Sequence, residues 1–438
     1  MQIHKYPSKE NWRDLIARPV NDSFALFDTV EKILSDVKIR GDEAVLEYEQ
    51  RFDRVQLSQL EVSQQEKDDA QNLLPDDLKE AIRTAARNIH TFHAAQQHDL
   101  PKVETTPGVS CWQKAVAIEK VGLYIPGGTA PLFSTVLMLG IPAQIAGCKE
   151  ILLCTPPNRE GAIHPAILFA AGIAGVHRIF KIGGIQAIGA MTYGTESVPN
   201  VYKIFGPGNQ YVTAAKQWVS LKDVAIDMPA GPSEVEVIAD DTANPAFVAA
   251  DLLSQAEHGI DSQAILLTSS EKLAEAVKTE TFRQLEQLPR KTLAEKSLAN
   301  SRIIILNNED EIVELTNLYA PEHLIIETKN YAELVERISN AGSVFLGHYT
   351  PESAGDYASG TNHTLPTNGY ARAYSGVNLD SFRKKITFQE ITKDGIRNLG
   401  ATIQIMAENE QLTAHRNAVS VRMAIATEFQ AESRVTGE

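Results

Sequence analysis

The 438-residue sequence predicts an α/β protein built on two parallel β-sheets. Apolar strand-like runs alternate with helix-like runs between residues 115 and 220, and again between 233 and 346. Repeated βα units of this length are typical of parallel sheets with helices on both faces. Glycines follow several of the predicted strands, at the edge where such sheets bind ligands. The chain is too long for one ordinary hydrophobic core, so at least two domains are expected.

The charge balance argues against nucleic-acid binding. Lysine and arginine number 41 and aspartate and glutamate 56, which gives a formal net charge of −15. No excess of positive charge attracts a phosphate backbone. Cys111, Cys148 and Cys154 offer no paired framework and suit a reducing compartment. The N-terminus has no apolar signal core, so a cytoplasmic protein is expected.

One uncharged run, Val121–Cys148, is long enough to suggest a membrane span. It is interrupted by Gly127, Gly128 and three prolines. A strand, a glycine turn and a buried helix explain this composition better. We therefore expect no membrane association.

The N-terminal part of the chain is predicted to be mainly helical. Residues 1–24 show no clear periodicity and are expected to form an arm. Two short helices separated by Gly41 follow, and then a longer helical segment, Leu60–Gln96. His90 and His93 stand at helical spacing within it, but no acidic or glycine-rich frame surrounds them. They are interpreted as part of a solvated helix face.

The first alternating block predicts strands that are each followed by a helix. The predicted strands are Ala115–Leu123, Glu150–Cys154, His177–Ile182 and Val201–Phe205, and the predicted helices are Ser134–Ala146, Pro165–Gly175, Ile185–Tyr193 and Gln210–Ser220.

Three of these strands run into glycine loops, at Gly127–Gly128, Gly183–Gly184 and Gly206–Gly208. Glycine lets the backbone approach a ligand closely, and each loop precedes a helix N-terminus, which favours anions. The usual dinucleotide fingerprint G-x-G-x-x-G is absent from these loops. A nucleotide cradle and plain connecting turns are both compatible with the pattern.

The second alternating block predicts another α/β domain. Its predicted strands are Ser233–Ala239, Ala264–Thr268, Arg302–Leu306, Leu324–Glu327 and Ser343–Leu346. A boundary is expected near residues 227–233, and the first helices are expected to fold with this block, so that one domain is inserted in the other. The predicted divisions are an arm at 1–24, a first α/β domain at 25–114 plus 233–365, a second α/β domain at 115–232 and a C-terminal extension at 366–438.

Beyond Leu346 the regular alternation ends. Thr350–Gly369 is rich in Gly, Ser, Thr, Asn and Pro and is predicted to be a long loop, which often carries function. A strand or two between Tyr370 and Phe388 and a final helix near Glu410–Glu428 are predicted.

A candidate metal pair lies on the helix after the first strand of the second block. Asn244 is predicted to cap this helix, Pro245 to begin it and Gly259 to stop it. Gln255 and His258 are three residues apart and share one face near its end. An amide oxygen and an imidazole can hold a divalent metal. Ordinary surface groups at this spacing are the alternative.

Two further patches carry polar groups. Glu322 and His323, between a predicted helix and a predicted strand, suit general acid–base chemistry or a solvated helix end. Asp356 and His363, on a glycine-flanked loop, suit metal binding or a local turn made by the aspartate side chain.

Glu410 and His415 stand near or on the final helix, where a lone histidine is more often structural. The motifs HExxH, CxxC and GxSxG are absent from the sequence. These residues alone therefore predict a two-domain α/β protein with a candidate metal site and a candidate nucleotide cleft, without selecting a reaction.

Several long motifs stand in a fixed order along the chain. They are Tyr-Ile-Pro-Gly-Gly (124–128), Phe-Gly-Pro-Gly-Asn (205–209), Ala-Gly-Pro-Ser-Glu-Val (230–235), Leu-Leu-Ser-Gln-Ala-Glu-His-Gly (252–259), Ala-Pro-Glu-His-Leu (320–324), Ser-Ala-Gly-Asp-Tyr-Ala-Ser-Gly-Thr-Asn-His (353–363) and Leu-Thr-Ala-His (412–415). In this order they resemble the histidinol dehydrogenase family, over nearly the whole chain.

The resemblance implies a fold and a set of site residues. It implies two Rossmann-like parallel-sheet domains in a domain-swapped homodimer, with one Zn²⁺ per subunit and NAD as cofactor. The implied residues are the zinc ligands Gln255, His258, Asp356 and His415, the acid–base pair Glu322 and His323, the further substrate contacts Ser233, His363 and Glu410, and the NAD contacts Tyr124, Gln186 and Asn209.

The implied reaction oxidises L-histidinol to L-histidine through L-histidinal, in two hydride transfers that end histidine biosynthesis. His323 would accept the hydroxyl proton, and Glu322 would activate water for the aldehyde step. The family takes its last zinc ligand from the partner subunit. Three other interpretations compete: a sister dehydrogenase for another small alcohol, a zinc hydrolase that uses Glu322, and a non-catalytic two-lobed binding protein.

Overall fold

A computed structural model describes residues 1–19, 23–127, 130–229 and 231–435. The strands are β1 (Gln2–Lys5), β2 (Val103–Thr106), β3 (Val109–Ala117), β4 (Lys120–Tyr124), β5 (Glu150–Thr155), β6 (Arg178–Lys181), β7 (Lys203–Phe205), β8 (Ala225–Ile226), β9 (Glu234–Ala239), β10 (Gln263–Thr268), β11 (Arg302–Ile305), β12 (His323–Glu327), β13 (Ser343–Leu346) and β14 (Arg383–Ile391). The helices are α1 (Trp12–Leu15), α2 (Phe27–Arg40), α3 (Asp42–Tyr48), α4 (Gln64–Ala70), α5 (Asp76–Ala94), α6 (Phe133–Ala146), α7 (Pro165–Ile173), α8 (Gly184–Tyr193), α9 (Gln210–Ser220), α10 (Pro245–Ala256), α11 (Glu271–Leu285), α12 (Lys291–Asn300), α13 (Glu309–Tyr319), α14 (Tyr331–Leu334), α15 (Glu352–Tyr357), α16 (Lys393–Asn409) and α17 (Thr413–Val435).

One parallel sheet has the strand order β6-β5-β4-β7-β8. Within this sheet β4 comes first in sequence. The chain then adds β5 and β6 on one side of β4, and β7 and β8 on the other side. The direction of connection therefore reverses beside β4. In sheets of this kind a crevice opens at the carboxyl ends of the strands where the order reverses, and ligands bind there.

The other parallel sheet has the order β1-β11-β10-β9-β12-β13 and repeats this plan around β9. The expected α/β class with parallel sheets is thus confirmed. The added edge strand β1 comes from the predicted arm, and Ile3 lies opposite Ile303 of β11. Four residues are too few for a strand periodicity to be read from sequence.

Apolar side chains fill both faces of each parallel sheet. Leu123 and Tyr124 of β4 enter separate cores on opposite faces, as do Val237 and Ile238 of β9. Consecutive residues of a strand point to opposite faces, so a sheet covered on both sides requires nearly continuous apolar strands. In the part of the chain that the structure describes, no helix combines the length and apolar character needed to cross a membrane.

The N-terminal helices pack on the five-stranded sheet. Helix α2 contacts α8 and α9, and α5 contacts α6. The prediction was that residues 25–114 fold with residues 233–365, so the placement of these helices differs from it. The apolar stripe of a helix is visible in its sequence, but the surface that the stripe covers is set by tertiary packing.

The chain divides into two compact units. The first contains Met1–Gln96 and Ile118–Phe382, with both parallel sheets. The second contains Gln97–Ala117 and the chain from Arg383 onward, with the antiparallel sheet β14-β3-β2 and helices α16 and α17. The predicted strand Ala115–Leu123 is two strands, because β3 ends in one unit and β4 begins in the other.

Arg18 fastens the N-terminal segment to the six-stranded sheet. Its Nε and Nη2 atoms donate hydrogen bonds to the two carboxylate oxygens of Glu234, at 2.5 and 2.7 Å. Nη2 also donates to the carbonyl of Tyr319 at 2.8 Å, and the guanidinium group lies 4.0 Å from the centre of the Tyr319 ring. Glu234 is buried at the start of β9, so Arg18 neutralises a carboxylate that water does not reach.

Replacement of Arg18 by Met is expected to lower the free energy of unfolding by about 3–5 kcal/mol, because the Glu234 carboxylate then stays buried without its cation. Urea denaturation measures this change. The exposed Arg13→Met variant is the matched control and is expected to stay within about 0.5 kcal/mol of the parent. Equal stability of the two variants would contradict the assigned role of Arg18.

Candidate active site

The candidate acid–base pair lies at the amino edge of the six-stranded sheet. Glu322 immediately precedes β12, and His323 is its first residue. Because β12 pairs in parallel with β9, His323 lies opposite Val235 and close to the turn that contains Ser233. Ligands were expected at the carboxyl ends of the strands, but in this sheet the polar cluster occupies the opposite edge. Ala230, the first residue of the predicted motif 230–235, lies outside the described residues.

The backbone of Glu234 holds both members of the pair. Its N–H donates to Glu322 Oε2 at 2.8 Å, and its carbonyl oxygen lies 3.1 Å from His323 Nδ1. A carbonyl only accepts, so Nδ1 carries the proton, and in the neutral ring Nε2 keeps its lone pair. Nε2 is buried without a hydrogen-bond partner among the described residues. His323 is therefore oriented to accept a proton at Nε2.

Carboxyl groups surround His323. Its Nδ1 lies 3.6 Å from Glu322 Oε2 and 3.7 Å from Glu352 Oε1, and its Nε2 lies 3.6 Å from Asp356 Oδ1. Burial disfavours the charged imidazole, but these carboxyl groups outweigh it and raise the pKa of His323. Burial also raises the pKa of Glu322 to about 8. Both groups thus titrate far from their ordinary ranges, as is common at catalytic sites.

Candidate metal ligands lie beside the pair. The side-chain ligand atoms of His258, Glu352 and Asp356 lie within 4.8 Å of one another. Glu352 and Asp356 are four residues apart on α15 and so share one face of that helix. Both carboxylate oxygens of Glu352 are buried without hydrogen-bond partners in the described part of the chain. A nitrogen donor with carboxylate oxygens is a ligand set that suits a divalent transition metal.

His258 reaches this cluster from just beyond the end of α10, and Gln255 lies in the last turn of that helix. Asn244 caps the helix through its side-chain oxygen and Pro245 begins it, as predicted. The predicted stop at Gly259 is wrong, since the helix ends at Ala256 and Glu257 caps it with right-handed helical backbone angles. His258 therefore lies in the turn beyond the helix.

The Gln255 side chain also carries buried polar atoms without hydrogen-bond partners among the residues described. Gln255 is fully buried, and neither its amide oxygen nor its amide nitrogen has a partner within the described ranges. A buried amide without partners is costly. The unpartnered side-chain oxygens of Gln255 and Glu352 thus fit a bound cation.

Sequence reasoning missed Glu352. The segment 350–369 was interpreted as a loop because of its composition, although α15 occupies part of it. The signal was present in the i, i+4 spacing of Glu352 and Asp356, which follows Pro351. A helix of six residues is too short for its apolar periodicity to be recognised.

His363 joins the two parallel sheets. Its Nδ1 lies 2.9 Å from the carbonyl oxygen of Asp356, and its Nε2 lies 3.0 Å from Thr135 Oγ1. Thr135 stands in the first turn of α6, which follows the carboxyl edge of the five-stranded sheet. The carboxyl edge of one sheet therefore faces the amino edge of the other across this contact.

Glu410 and His415 belong to the second unit. Glu410 caps the C-terminus of α16, and His415 lies in the first turn of α17. Both side chains are exposed. The cluster described above is built from residues of the first unit alone.

The glycine loops stand at the carboxyl edge of the five-stranded sheet, after β4, β6 and β7. The Tyr124 hydroxyl accepts a hydrogen bond from the Gly184 N–H at 3.1 Å. Asn209 caps α9, since its side-chain oxygen accepts from the backbone N–H groups of Tyr211 and Val212 at 3.0 and 3.1 Å. Gly128, which follows Gly127 in the first glycine motif, lies outside the described residues.

A buried ion pair braces the loop after β7. Lys216 Nζ lies 2.5 Å from Asp227 Oδ1, and both side chains are almost fully buried. Lys216 also donates to the carbonyl of Gly206 at 2.7 Å, and Asp227 Oδ2 accepts from the Gly206 N–H at 2.8 Å. Gly206 has φ +125°, and a Cβ atom there would lie 2.0 Å from the Tyr124 carbonyl oxygen. Only glycine fits this position.

Gln186 is the third predicted cofactor contact. It is fully buried in α8, and its Nε2 donates to Glu49 Oε1 at 2.8 Å. Its amide oxygen has no hydrogen-bond partner in the part of the chain described. That unpartnered oxygen beside the glycine loops fits a ligand with an N–H or O–H donor, such as a dinucleotide.

Glycine loops on one parallel sheet, facing a buried acid–base pair and candidate metal ligands on another, define a two-sheet α/β enzyme. A family model for histidinol dehydrogenase matches residues 16–423. A histidinol dehydrogenase of Bacteroides thetaiotaomicron is 67% identical over 423 residues, which cover 97% of this chain and 99% of that protein. The histidinol dehydrogenase of Escherichia coli K12 is 54% identical over 417 residues, covering 94% of this chain and 95% of that protein.

A crystal structure of histidinol dehydrogenase from Elizabethkingia anophelis superposes with a TM-score of 0.96. The two chains are 56% identical, and the match covers 98% of this chain and 99% of that one. The chain therefore belongs to the histidinol dehydrogenase family and is an oxidoreductase.

The candidate metal site predicts how zinc content responds to substitution. His258→Asn and Asp356→Asn are each expected to lose the metal, and Glu352→Gln to weaken its binding by about 10–100-fold, because a carboxylate beside the ion loses its charge. Zinc content after dialysis against limiting zinc measures this. The exposed Glu333→Gln variant is the control. Full zinc content in Glu352→Gln would contradict a role for Glu352 beside the metal and leave it as a carboxyl group that interacts with His323.

Proposed function

We propose that this protein oxidises L-histidinol to L-histidine through L-histidinal, with two NAD⁺ and one Zn²⁺ per subunit. Membership of the family implies histidinol oxidation in histidine biosynthesis. The observation that carries the proposal is His323, held at Nδ1 with Nε2 unpartnered beside metal-type ligands. A cytoplasmic location is part of the same proposal.

The proposed zinc ligands are Gln255, His258, Asp356 and His415. The first three stand in one unit, and we propose that His415, together with Glu410, comes from a second copy of the chain in a homodimer. When bound, the metal supplies a Lewis acid that holds nitrogen and oxygen atoms of the substrate, and NAD⁺ supplies the hydride acceptor. Tyr124, Gln186 and Asn209 are the proposed contacts to NAD⁺.

His323 acts as the base in the proposed alcohol step. Its Nε2 accepts the hydroxyl proton of histidinol, while the Nδ1–H bond to the Glu234 carbonyl holds the ring in the correct tautomer. The imidazolium that forms is stabilised by the carboxyl groups of Glu322, Glu352 and Asp356 at 3.6–3.7 Å. The cluster thus favours the charge that develops on the base.

Glu322 activates water in the proposed aldehyde step. Its carboxyl group is buried, anchored at Oε2 by the Glu234 N–H, and so keeps one orientation. Removing a proton from water allows oxygen to attack the aldehyde carbon before the second hydride leaves. Ser233 and His363 are the proposed further substrate contacts within the first unit. Burial of the site retains the aldehyde between the two steps.

The proposal predicts two NADH for each histidinol consumed, because the alcohol and the aldehyde each lose one hydride. NADH absorbance with limiting L-histidinol measures this before chelation, after chelation and after zinc is restored. Signal that disappears with the chelator and returns with zinc supports the metal assignment. One NADH per histidinol would contradict the four-electron reaction. No NADH from folded, zinc-loaded protein would contradict the dehydrogenase and leave the zinc hydrolase as the alternative.

Glu322→Gln is expected to slow the oxidation of L-histidinal far more than that of L-histidinol, by about 10²–10⁴-fold, since only the aldehyde step needs an activated water. Single-turnover NADH formation from each substrate separates the two steps. The exposed Glu31→Gln variant serves as the control. Equal losses in both steps would remove the special role of Glu322.

A further inference from the structure

Glu49 is fully buried beneath the loop that follows β6, and the proposed reaction makes no use of it. It begins a π-helical segment, Glu49–Asp53, directly after α3. Its Oε1 accepts hydrogen bonds from the Gly183 N–H at 2.9 Å and from Gln186 Nε2 at 2.8 Å. One carboxyl oxygen therefore supports both the glycine turn and the first turn of α8.

The other oxygen, Glu49 Oε2, is buried without a hydrogen-bond donor among the described residues. Asp53 lies close enough to Glu49 for each carboxyl group to shift the pKa of the other, and Asp53 Oδ2 also lies against Gly183. Two adjacent carboxyl groups avoid ionising together, so a proton on Glu49 that is donated to Asp53 satisfies both. The pair then carries a single negative charge.

Burial raises the pKa of Glu49 to about 8, and burial also raises the pKa of Asp53. The other titratable groups that interact with Glu49 are Tyr124 of β4 and Cys154 of β5. Burial raises the pKa of both, so they stay neutral across the neutral range. Asp53 is therefore the group that decides the charge beside Glu49.

The loop above Glu49 is tightly packed. A Cβ atom on Gly183 would lie 2.8 Å from the Pro156 side chain, and Gly184 has φ +58°. The Gln186 amide oxygen lies close to Gly184 and has no other partner within the described ranges. The bond from Gln186 Nε2 to Glu49 is thus what fixes the direction of that oxygen.

We propose that Glu49 is the positioning residue of the dinucleotide loop, acting as a neutral acid that shares its proton with Asp53 and orients Gln186. This inference rests on the proposed use of NAD. The neutral acid keeps the Gly183 N–H and the Gln186 amide in place without adding a second negative charge. Ionisation of Glu49 places two carboxylates beneath the proposed cofactor loop, and because NAD⁺ carries a negatively charged diphosphate, the cofactor then binds more weakly.

The test is calorimetric titration of the zinc-loaded full-length protein with NAD⁺, without histidinol, at about pH 7 and about pH 9. Glu49→Gln reproduces the neutral acid at every pH, so it is expected to match the parent at the lower pH. At the higher pH the parent is expected to bind several-fold more weakly, while Glu49→Gln stays unchanged. Glu49→Ala removes the support and is expected to bind about tenfold more weakly at both.

The exposed Glu43→Gln variant is the matched control and is expected to follow the parent at both pH values. If the parent and Glu49→Gln show the same pH dependence, the neutral-acid role is overturned, even with NAD⁺ bound tightly. Parental affinity in Glu49→Ala overturns the positioning role. If the parent itself binds no NAD⁺, the proposed cofactor fails and this inference falls with it.

Discussion

Parallel pairing of β9 with β12 is the constraint on which the candidate site depends. It brings Glu322 and His323 against the backbone of Glu234, whose N–H and carbonyl group hold one side chain each. A buried imidazole and a buried carboxyl group need such partners, because an unpaired polar group in a low-dielectric interior is costly. Arg18 neutralises the Glu234 carboxylate in turn, so the N-terminal segment supports the residue that anchors the acid–base pair.

The two parallel sheets use opposite edges. The glycine loops stand at the carboxyl edge of one sheet, where the strand order reverses beside β4. The acid–base pair stands at the amino edge of the other, and the His363–Thr135 hydrogen bond links the two sides. In the proposed function this arrangement serves hydride transfer, because the oxidised carbon and the acceptor must meet within contact distance.

Much of the architecture was predictable because its determinants are local. Helix α9 spans the predicted residues Gln210–Ser220, and its start is set by Asn209, which is a strong N-cap. The end of α10 was mispredicted, because Gly259 signalled a stop and the helix ended at Ala256 without a left-handed residue. Glu352 was missed because α15 is short and sits in loop-like sequence. The α16 helix was missed as well, and β1 in the arm gave no periodic signal.

The sequence by itself determined the α/β class, most strand positions and, through ordered motifs, the family. Strand periodicity, helix caps and contiguous motifs depend on residues that are neighbours along the chain. Tertiary structure alone decided which sheet α2 and α5 cover, that Glu352 joins His258 and Asp356, and that Glu49 supports Gln186. Apart from Glu352 and Asp356, these residues are far apart in sequence and meet only when the sheets pack. Burial then creates the unpartnered polar atoms and perturbed pKa values on which the proposed chemistry relies.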